Sequence, residues 1–125
     1  MASEPRLVRL SATTAALAAG TNVVLQFGAG GNAVTKVEVV RCKLKRQSGT
    51  GANFTPAIFS AVAAAVGDIE QEFQGSATAV ATLFDPVVSG VFCYTDALGR
   101  LYLRPTPDAG ADNVFKYHVV AKVWT

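Results

Sequence analysis

Alternation of apolar and polar residues is the strongest pattern in this chain, and it predicts β-strands. In "GRLYLRP", the residues Arg100, Tyr102 and Arg104 fall on one side, whereas Leu101 and Leu103 fall on the other. A period of two places one face of a strand against a core and the other toward solvent. The final segment, "KYHVVAKVW", alternates in the same way. Both segments are therefore predicted strands.

A turn precedes the first of these strands. The four residues Asp96-Ala97-Leu98-Gly99 separate "VFCYT" from "RLYLR" and are of the types that favour tight turns. A second connection, "PTPDAGADN", leads into the last segment. Because short connections join three successive strands, we expect these strands to form an antiparallel meander.

The segment "TKVEVVRCKLKRQSG" alternates irregularly. Val37 and Val39 have one parity, whereas Val40, Cys42 and Leu44 have the other. One extra residue near Val39-Val40 would bring both sets to the same face, as a β-bulge does. The sequence thus predicts a bulged strand with one apolar face. Its outward face carries five residues: Lys36, Glu38, Arg41, Lys43 and Lys45.

Two segments leave their structure open. In "FTPAIFSAVAAAVGDIEQEFQGS", apolar residues at i, i+4 and i+8 and the many alanines favour a helix. Pro56 and Gly67 leave room for barely three turns, however. We interpret this stretch as a strand "AIFS", an undefined connection and a strand "IEQEF". Near the amino terminus, "RLVRLSATTAALAAG" is either a strand followed by a loop or a short helix in the alanines.

The whole pattern predicts an all-β fold. About seven or eight short strands, separated by turns, are typical of a single antiparallel β-sandwich, here jelly-roll-like. A chain of 125 residues is long enough for one hydrophobic core. We assign residues 21–125 to one sandwich domain and residues 1–20 to an amino-terminal arm and a segment of uncertain structure.

Composition adds information about the surface. Charged residues make up 16% of the chain, against about 25% in typical soluble domains, and the mean hydropathy is +0.32. A surface with so little charge favours coverage by neighbouring subunits. The net charge of +2 is too small to indicate nucleic-acid binding. No apolar run is long enough to span a bilayer, and the first residues lack the apolar stretch of a secretory signal.

Candidate catalytic residues are few. His118 is the single histidine, and no nucleophile elbow accompanies it. A pairing with Cys42 or Cys93 is conceivable, but both cysteines lie in predicted strands, where we expect buried free thiols. Glu70 and Glu72 share one face of a short strand, which is typical of a solvated edge. We therefore expect no enzymatic activity and no cofactor.

Two loops have some features of ligand sites. Asp108, Asp112 and Asn113 offer three oxygen ligands, but not with the spacing of a calcium loop. A plain connection between strands explains the same residues, since proline ends strands and Asp, Asn and Gly favour turns. The run "GAGGN" at residues 28–32 lacks the spacing of a phosphate-binding loop and predicts a hairpin turn. We expect no bound metal.

Positive charge is concentrated in the bulged strand. Five of the eleven cations lie within eleven residues: Lys36, Arg41, Lys43, Lys45 and Arg46. Such a stripe can bind phosphates, dock on an acidic protein surface or protect a sheet edge from unwanted pairing. Nucleic-acid binders usually interleave aromatic residues that stack on bases, and none occurs within this stripe. Protein docking or edge protection is therefore favoured over nucleic acid.

The segment "VFCYTDALGRLYLRPTPDAGADNVFKYHVVAKVW" resembles the carboxyl end of small bacteriophage virion proteins. The shared features are an aromatic strand, a D-x-x-G turn, "LYLR", a loop like "PDAGADN" and a final F-x-Y strand. The likeness covers residues 58–124. Such proteins are β-sandwich domains that decorate capsids or build necks and tails. The resemblance implies a capsid decoration, or cement, protein that resides in the virion after assembly in the host cytoplasm.

The resemblance also implies partners. These are the major capsid protein or other virion proteins, together with further copies of this chain, often as trimers. No membrane partner is expected. The expected contacts are a first set in the amino-terminal arm (Arg6, Leu7, Val8 and Arg9) and a second set in the basic strand (Arg41, Lys43 and Lys45).

Two other functions stay open. A neck or tail component would use the same fold. A carbohydrate-binding sandwich would present exposed aromatic residues over a groove, and the candidates are Tyr94, Tyr102 and Trp124.

Overall fold

The computed structural model describes residues 4–28, 35–60, 71–86 and 91–124 of the chain. These ranges contain ten β-strands and no helix, so the predicted all-β fold is confirmed. The strands are β1 (Arg6–Thr13), β2 (Val23–Gln26), β3 (Lys36–Ser48), β4 (Asn53–Phe54), β5 (Ala57–Phe59), β6 (Gln71–Gln74), β7 (Thr78–Ala79), β8 (Val91–Tyr94), β9 (Arg100–Arg104) and β10 (Val114–Trp124). None of the described segments is a helix long and apolar enough to cross a membrane.

Eight of the strands form two four-stranded antiparallel sheets. The first sheet has the order β1-β10-β3-β8, and the second has the order β2-β9-β5-β6. The two-residue strands β4 and β7 pair separately. If the eight main strands are renumbered along the chain, the orders become 1-8-3-6 and 2-7-4-5. In this arrangement most connections cross from one sheet to the other, as in a jelly roll.

This topology corrects the expected meander. The turn at Asp96–Gly99 forms as predicted: the Gly99 N–H donates to the Asp96 carbonyl, and Gly99 has a φ of +76°. The turn does not join paired strands, however. β8 pairs with β3 in the first sheet, whereas β9 pairs with β2 and β5 in the second. The three predicted strands exist, but their assignment as a meander was wrong because both connections cross between sheets.

The core lies between the sheets, and the bulge in β3 allows side chains on both sides of the bulge to point into the core. Side chains from both sheets form one buried cluster. Along β3, Ala121 is opposite Val39 while Val120 is opposite Arg41, so Val40 is an inserted residue. The insertion leaves four β3 side chains buried: Val37, Val39, Cys42 and Leu44. The predicted bulge is confirmed.

The amino-terminal segment is part of the first sheet. All eight residues of β1 pair with β10, from Arg6 opposite Val123 to Thr13 opposite Lys116. Leu17 is buried beyond the strand and bridges to Asn113. The segment expected to extend to a neighbour is thus an edge strand of its own domain.

Strand β5 corresponds to the predicted "AIFS" and is one residue shorter, and the described β6 contains the last three residues of the predicted "IEQEF" and extends to Gln74. The alanine-rich connection at 61–70, which includes Glu70, lies outside the described residues, as does most of the "GAGGN" run. A second cluster, of Ala57, Phe59 and Tyr102, is buried apart from the main core.

Candidate functional site: the outer face of the first sheet

The first sheet has one face in the core and one face on the surface. On β10, Phe115, Val119, Ala121 and Val123 are fully buried. Because side chains alternate along a strand, the intervening residues lie on the opposite side. We call this opposite side the outer face. Its members on β10 are Lys116, His118, Val120, Lys122 and Trp124.

The strand register brings residues from three strands, β1, β3 and β10, together at one end of the outer face. Lys45 lies opposite Lys116, and Lys43 lies opposite His118. On the other side of β10, Ser11 lies opposite His118. Residues far apart in sequence thereby form a basic end of the face. This end is centred on Lys43, Lys45 and Lys116.

A shallow cavity of about 290 Å³ lies at the basic end. The three lysines and His118 line the cavity together with four uncharged residues: Ser11, Gln47, Leu83 and Tyr117. Leu83 reaches this position because the next residue, Phe84, forms two backbone hydrogen bonds of 2.9 Å with Leu44. The side chain of Leu83 remains 48% exposed. The cavity thus combines a cationic wall with apolar contacts.

Arg41 precedes Lys43 by two residues on β3 and is already paired. Its Nη2 donates to Asp85 Oδ2 at 2.7 Å, and its Nε donates to Asp85 Oδ1 at 3.2 Å. This hydrogen bond and the charge of Arg41 lower the pKa of Asp85, and Lys43 acts in the same direction. The same bond raises the pKa of Arg41. In the described ranges the other ion pair is Arg100–Asp96, so none of the three lysines has a carboxylate within ion-pair distance among these residues.

The remaining cations of the predicted stripe serve other purposes. Arg46 Nη1 donates to the Gly49 carbonyl at 2.6 Å and to the Gly51 carbonyl, which fixes the loop after β3. Lys36 Nζ lies 5.0 Å from the ring centroids of both Phe92 and Trp124. A cation at that distance from an aromatic ring is attracted to it. Within the stripe, Lys43 and Lys45 thus have no ion-pair partner among the described residues, whereas the other three cations have partners within the protein: Lys36, Arg41 and Arg46.

Lys36 marks an aromatic end of the outer face. Phe92 is 49% exposed and Tyr94 is 60% exposed, and both belong to β8. The rings of Phe92 and Trp124 are 6.2 Å apart. From Lys116 to Trp124, the face extends about 27 Å, at about 3.4 Å per residue. The outer face is thus basic at one end and aromatic at the other.

The structure divides the predicted contact residues of β1 between the two faces. Leu7 lies opposite Lys122 and is 49% exposed, and Arg9 lies opposite Val120, so both belong to the outer face. Val8 is half-buried and packs against the core. Arg6 turns inward, where its Nη2 donates to the Phe27 carbonyl at 3.1 Å. The outer face therefore contains five of the seven predicted contact residues: Leu7, Arg9, Arg41, Lys43 and Lys45.

The loop from Asp108 to Asn113 is a structural connection. Asp108 accepts the backbone N–H groups of Ala52 at 2.9 Å and Asn53 at 3.1 Å. Asp112 accepts the Thr50 hydroxyl at 2.6 Å and the Thr50 N–H at 3.0 Å. These hydrogen bonds lower the pKa values of both carboxyls. The loop joins β9 to β10 and is held by hydrogen bonds to the loop after β3.

The two candidate nucleophiles, Cys42 and Cys93, are inaccessible. Cys42 and Cys93 are free and buried, as predicted. Burial raises the pKa of each thiol to about 12, which makes both poor nucleophiles. Among the residues that the structure describes, no group of three His, Cys, Asp or Glu side chains is arranged to hold a metal ion. Glu72 is half-buried in β6.

Tyr102 is not an exposed aromatic residue. Its side chain is 2% exposed, and its hydroxyl donates to Asp96 Oδ2 at 2.7 Å. Burial raises the pKa of Tyr102, and the hydrogen bond to Asp96 adds to this effect. Tyr102 therefore drops out of the set proposed for carbohydrate, whereas Tyr94 and Trp124 remain at the aromatic end.

Some outer-face residues were missing from the predicted contact set. Lys116 and His118 alternate correctly in the sequence, but their proximity to Lys43 and Lys45 depends on the pairing of β10 with β3. Phe92 shares a face with Lys36 through the pairing of β8 with β3. No local signal in the sequence specifies either pairing.

Comparisons with known proteins give little further information. No protein-family model matches the chain, and no curated protein is similar to it. A solved structure of Bacillus endospore appendages, described as disulfide-linked pili, is similar at 14% sequence identity and a TM-score of 0.35. The match covers 100% of this chain and 93% of that chain. So distant a likeness supports no conclusion about the function of this protein.

Proposed function

We propose that this chain is a non-enzymatic structural protein of a bacteriophage virion, and specifically a capsid decoration protein. Its task is to stabilise the shell by bridging neighbouring capsid subunits. The observation that carries the proposal is the outer face of the first sheet, which presents exposed apolar and unpaired basic side chains together. The resemblance of residues 58–124 to phage virion proteins supports the same conclusion, although a jelly roll alone does not define a function.

The size of the outer face suits such a role. Over about 27 Å of β1, β10 and β3 and about 14 Å of the four-residue β8, strands spaced about 4.8 Å apart present a flat area of about 450 Å², and projecting side chains increase the accessible area. A stable protein interface buries about 800 Å² on each partner. The face is thus of the size needed for one contact. Copies of this chain around a symmetry axis of the shell would then bind adjacent capsid subunits.

Substitution of an exposed apolar residue of the outer face tests the proposal. Leu7 on the outer face and Val24 on the second sheet are 49% and 48% exposed. The variants Leu7→Asp and Val24→Asp therefore place the same charge at equally exposed apolar positions. We expect Leu7→Asp to weaken binding to purified undecorated shells at least about tenfold, the loss typical of an interface anchor. We expect Val24→Asp to bind within about twofold of wild type.

Sedimentation of shells with increasing protein measures this binding. Saturable co-sedimentation of wild type, lost in Leu7→Asp and kept in Val24→Asp, is the expected result. A wild-type protein that does not bind shells contradicts decoration. If the wild-type protein instead forms homogeneous rings in negative-stain images, the result supports a neck or tail component on the same fold in place of a decoration protein.

The aromatic end favours one second candidate, a carbohydrate-binding module. Tyr94 is 60% exposed beside the Phe92–Trp124 pair, and exposed aromatic rings commonly stack on sugars. A glycan-array signal that Tyr94→Ala abolishes would support this candidate. Tyr102 is the control position, because its buried side chain does not contact a bound sugar.

A further inference from the structure

We propose that the cavity between β1, β3 and β10 is a docking site for an acidic, carboxylate-rich segment of the partner protein. This inference rests on the proposed function and specifies the site through which the partner is bound. The site consists of the three lysines at positions 43, 45 and 116, with Leu83 as an apolar contact.

Among the described residues, no carboxylate forms an ion pair with the lysines of the cavity. Lys43 acts on the carboxyl of Asp85 and lowers its pKa, but both oxygens of Asp85 are held by Arg41. Lysine ammonium groups donate three hydrogen bonds and accept none, so this wall presents donors only. The complementary ligand is therefore an anion.

The pairing of Lys45 with Lys116 is a second argument. The two residues lie directly opposite each other on adjacent strands. Like charges in this position destabilise a sheet. A bound anion would remove that repulsion, and binding would thereby be strengthened by relief of strain that the free protein carries.

The lining favours a protein segment over nucleic acid. Bases stack on exposed aromatic platforms, whereas the aromatic residue that lines the cavity, Tyr117, is half-buried against the core. The exposed aromatic residues of this sheet, Phe92 and Tyr94, lie at the opposite end of the face. Arginine, which recognises phosphate in a bidentate manner, is engaged elsewhere at Arg41 and Arg46. Leu83 instead offers contact to an apolar side chain next to an acidic one. A compact cavity of about 290 Å³ suits one or two side chains.

The test uses the isolated full-length chain and a fluorescein-labelled peptide of glutamates with one central leucine. The site variant is Lys45→Gln/Lys116→Gln, and the control variant is Lys36→Gln/Lys122→Gln. Each variant loses one positive charge from β3 and one from β10, both on the outer face, so their net charges are equal. Fluorescence anisotropy at low ionic strength measures binding, and circular dichroism verifies that both variants fold.

We expect the site variant to bind the peptide about tenfold more weakly than wild type, the loss expected for two partly exposed ion pairs. The control variant should remain within about twofold. An equal loss in both variants would overturn the proposal, because binding would then follow net charge alone. Tighter binding of a single-stranded oligonucleotide, or full competition by inorganic phosphate at equal concentration, would overturn it as well.

Failure of this inference and failure of the proposed function are distinguishable. If shells bind wild type and the site variant equally, the decoration function stands and the docking site is wrong. If the peptide binds at the cavity but shells do not bind, the site stands and the decoration function is wrong.

Discussion

Replacement of Asn113 by alanine should destabilise the protein severely. Asn113 is fully buried, at 0% exposure. Its Oδ1 accepts the Gly51 N–H at 3.1 Å, and its Nδ2 donates to the Ala109 carbonyl at 2.9 Å. It therefore joins the loop after β3 to the loop before β10. The backbone of Asn113 also pairs with Leu17, so that a single residue connects three segments.

The magnitude follows from these contacts. Each of the two short hydrogen bonds contributes about 1 kcal/mol, and a buried N–H left without an acceptor at Gly51 costs about 1–2 kcal/mol more. We expect a loss of about 3 kcal/mol in the free energy of unfolding. With a urea m-value of about 1.5 kcal/mol/M, the unfolding midpoint falls by about 2 M.

The control is Asn53→Ala. Asn53 is exposed, and its side chain donates to Asp108 Oδ2 at 3.3 Å. This variant should lose less than about 0.5 kcal/mol, as is usual for surface substitutions. Urea unfolding followed by circular dichroism measures both variants. A loss at Asn113 as small as the loss at Asn53 would refute the account of the loop. An increase of the wild-type midpoint on addition of calcium would refute it too.

Three further predictions concern charges and thiols. Four carboxyls have lowered pKa values: Asp85, Asp96, Asp108 and Asp112. Their contribution to stability is present above the ordinary pKa of 3.8 and is lost as pH falls through the lower folded values. The urea concentration at the unfolding midpoint should therefore be constant from pH 5 to 7 and should decrease at pH values below about 4. A midpoint unchanged at pH 2.5 contradicts this. Cys42 and Cys93 should react with a thiol reagent at pH 8 only after unfolding, and rapid labelling of the native protein contradicts their burial. Lys116→Glu should raise the free energy of unfolding by about 0.5 kcal/mol, because it replaces repulsion from Lys45 by attraction, and Lys122→Glu tests whether any such gain is specific.

Alternation along the chain was sufficient to predict β9, β10 and the bulge in β3, whereas β1 was left open between strand and helix and the two-residue strands β4 and β7 were not predicted. The opposite parities of Val39 and Cys42 can share a core only if one residue is inserted, and the structure places Val40 at that position. The same reasoning failed for pairing. Alternation determines which face of a strand is buried, but β9 and β10 belong to different sheets because of contacts with strands distant in sequence.

The candidate site was predictable only in part. The cations at Lys43 and Lys45 were identified as a contact surface, and they lie on the outer face. Arg46 belongs to the same cluster of cations in the sequence, but its guanidinium donates to nearby loop carbonyls. Tyr102 alternates with leucines and was expected on an exposed face, but it is buried with Phe59 in the second cluster. These differences depend on three-dimensional neighbours that no local sequence pattern contains.

A cryo-electron microscopy map of the intact phage particle tests the central claim most directly. We predict density for this jelly roll on the shell, with the outer face of β1, β10, β3 and β8 against a neighbouring virion protein and with an acidic segment next to Lys116. A particle without this chain, or a map in which that face is turned to solvent while the second sheet makes the contact, would contradict the account.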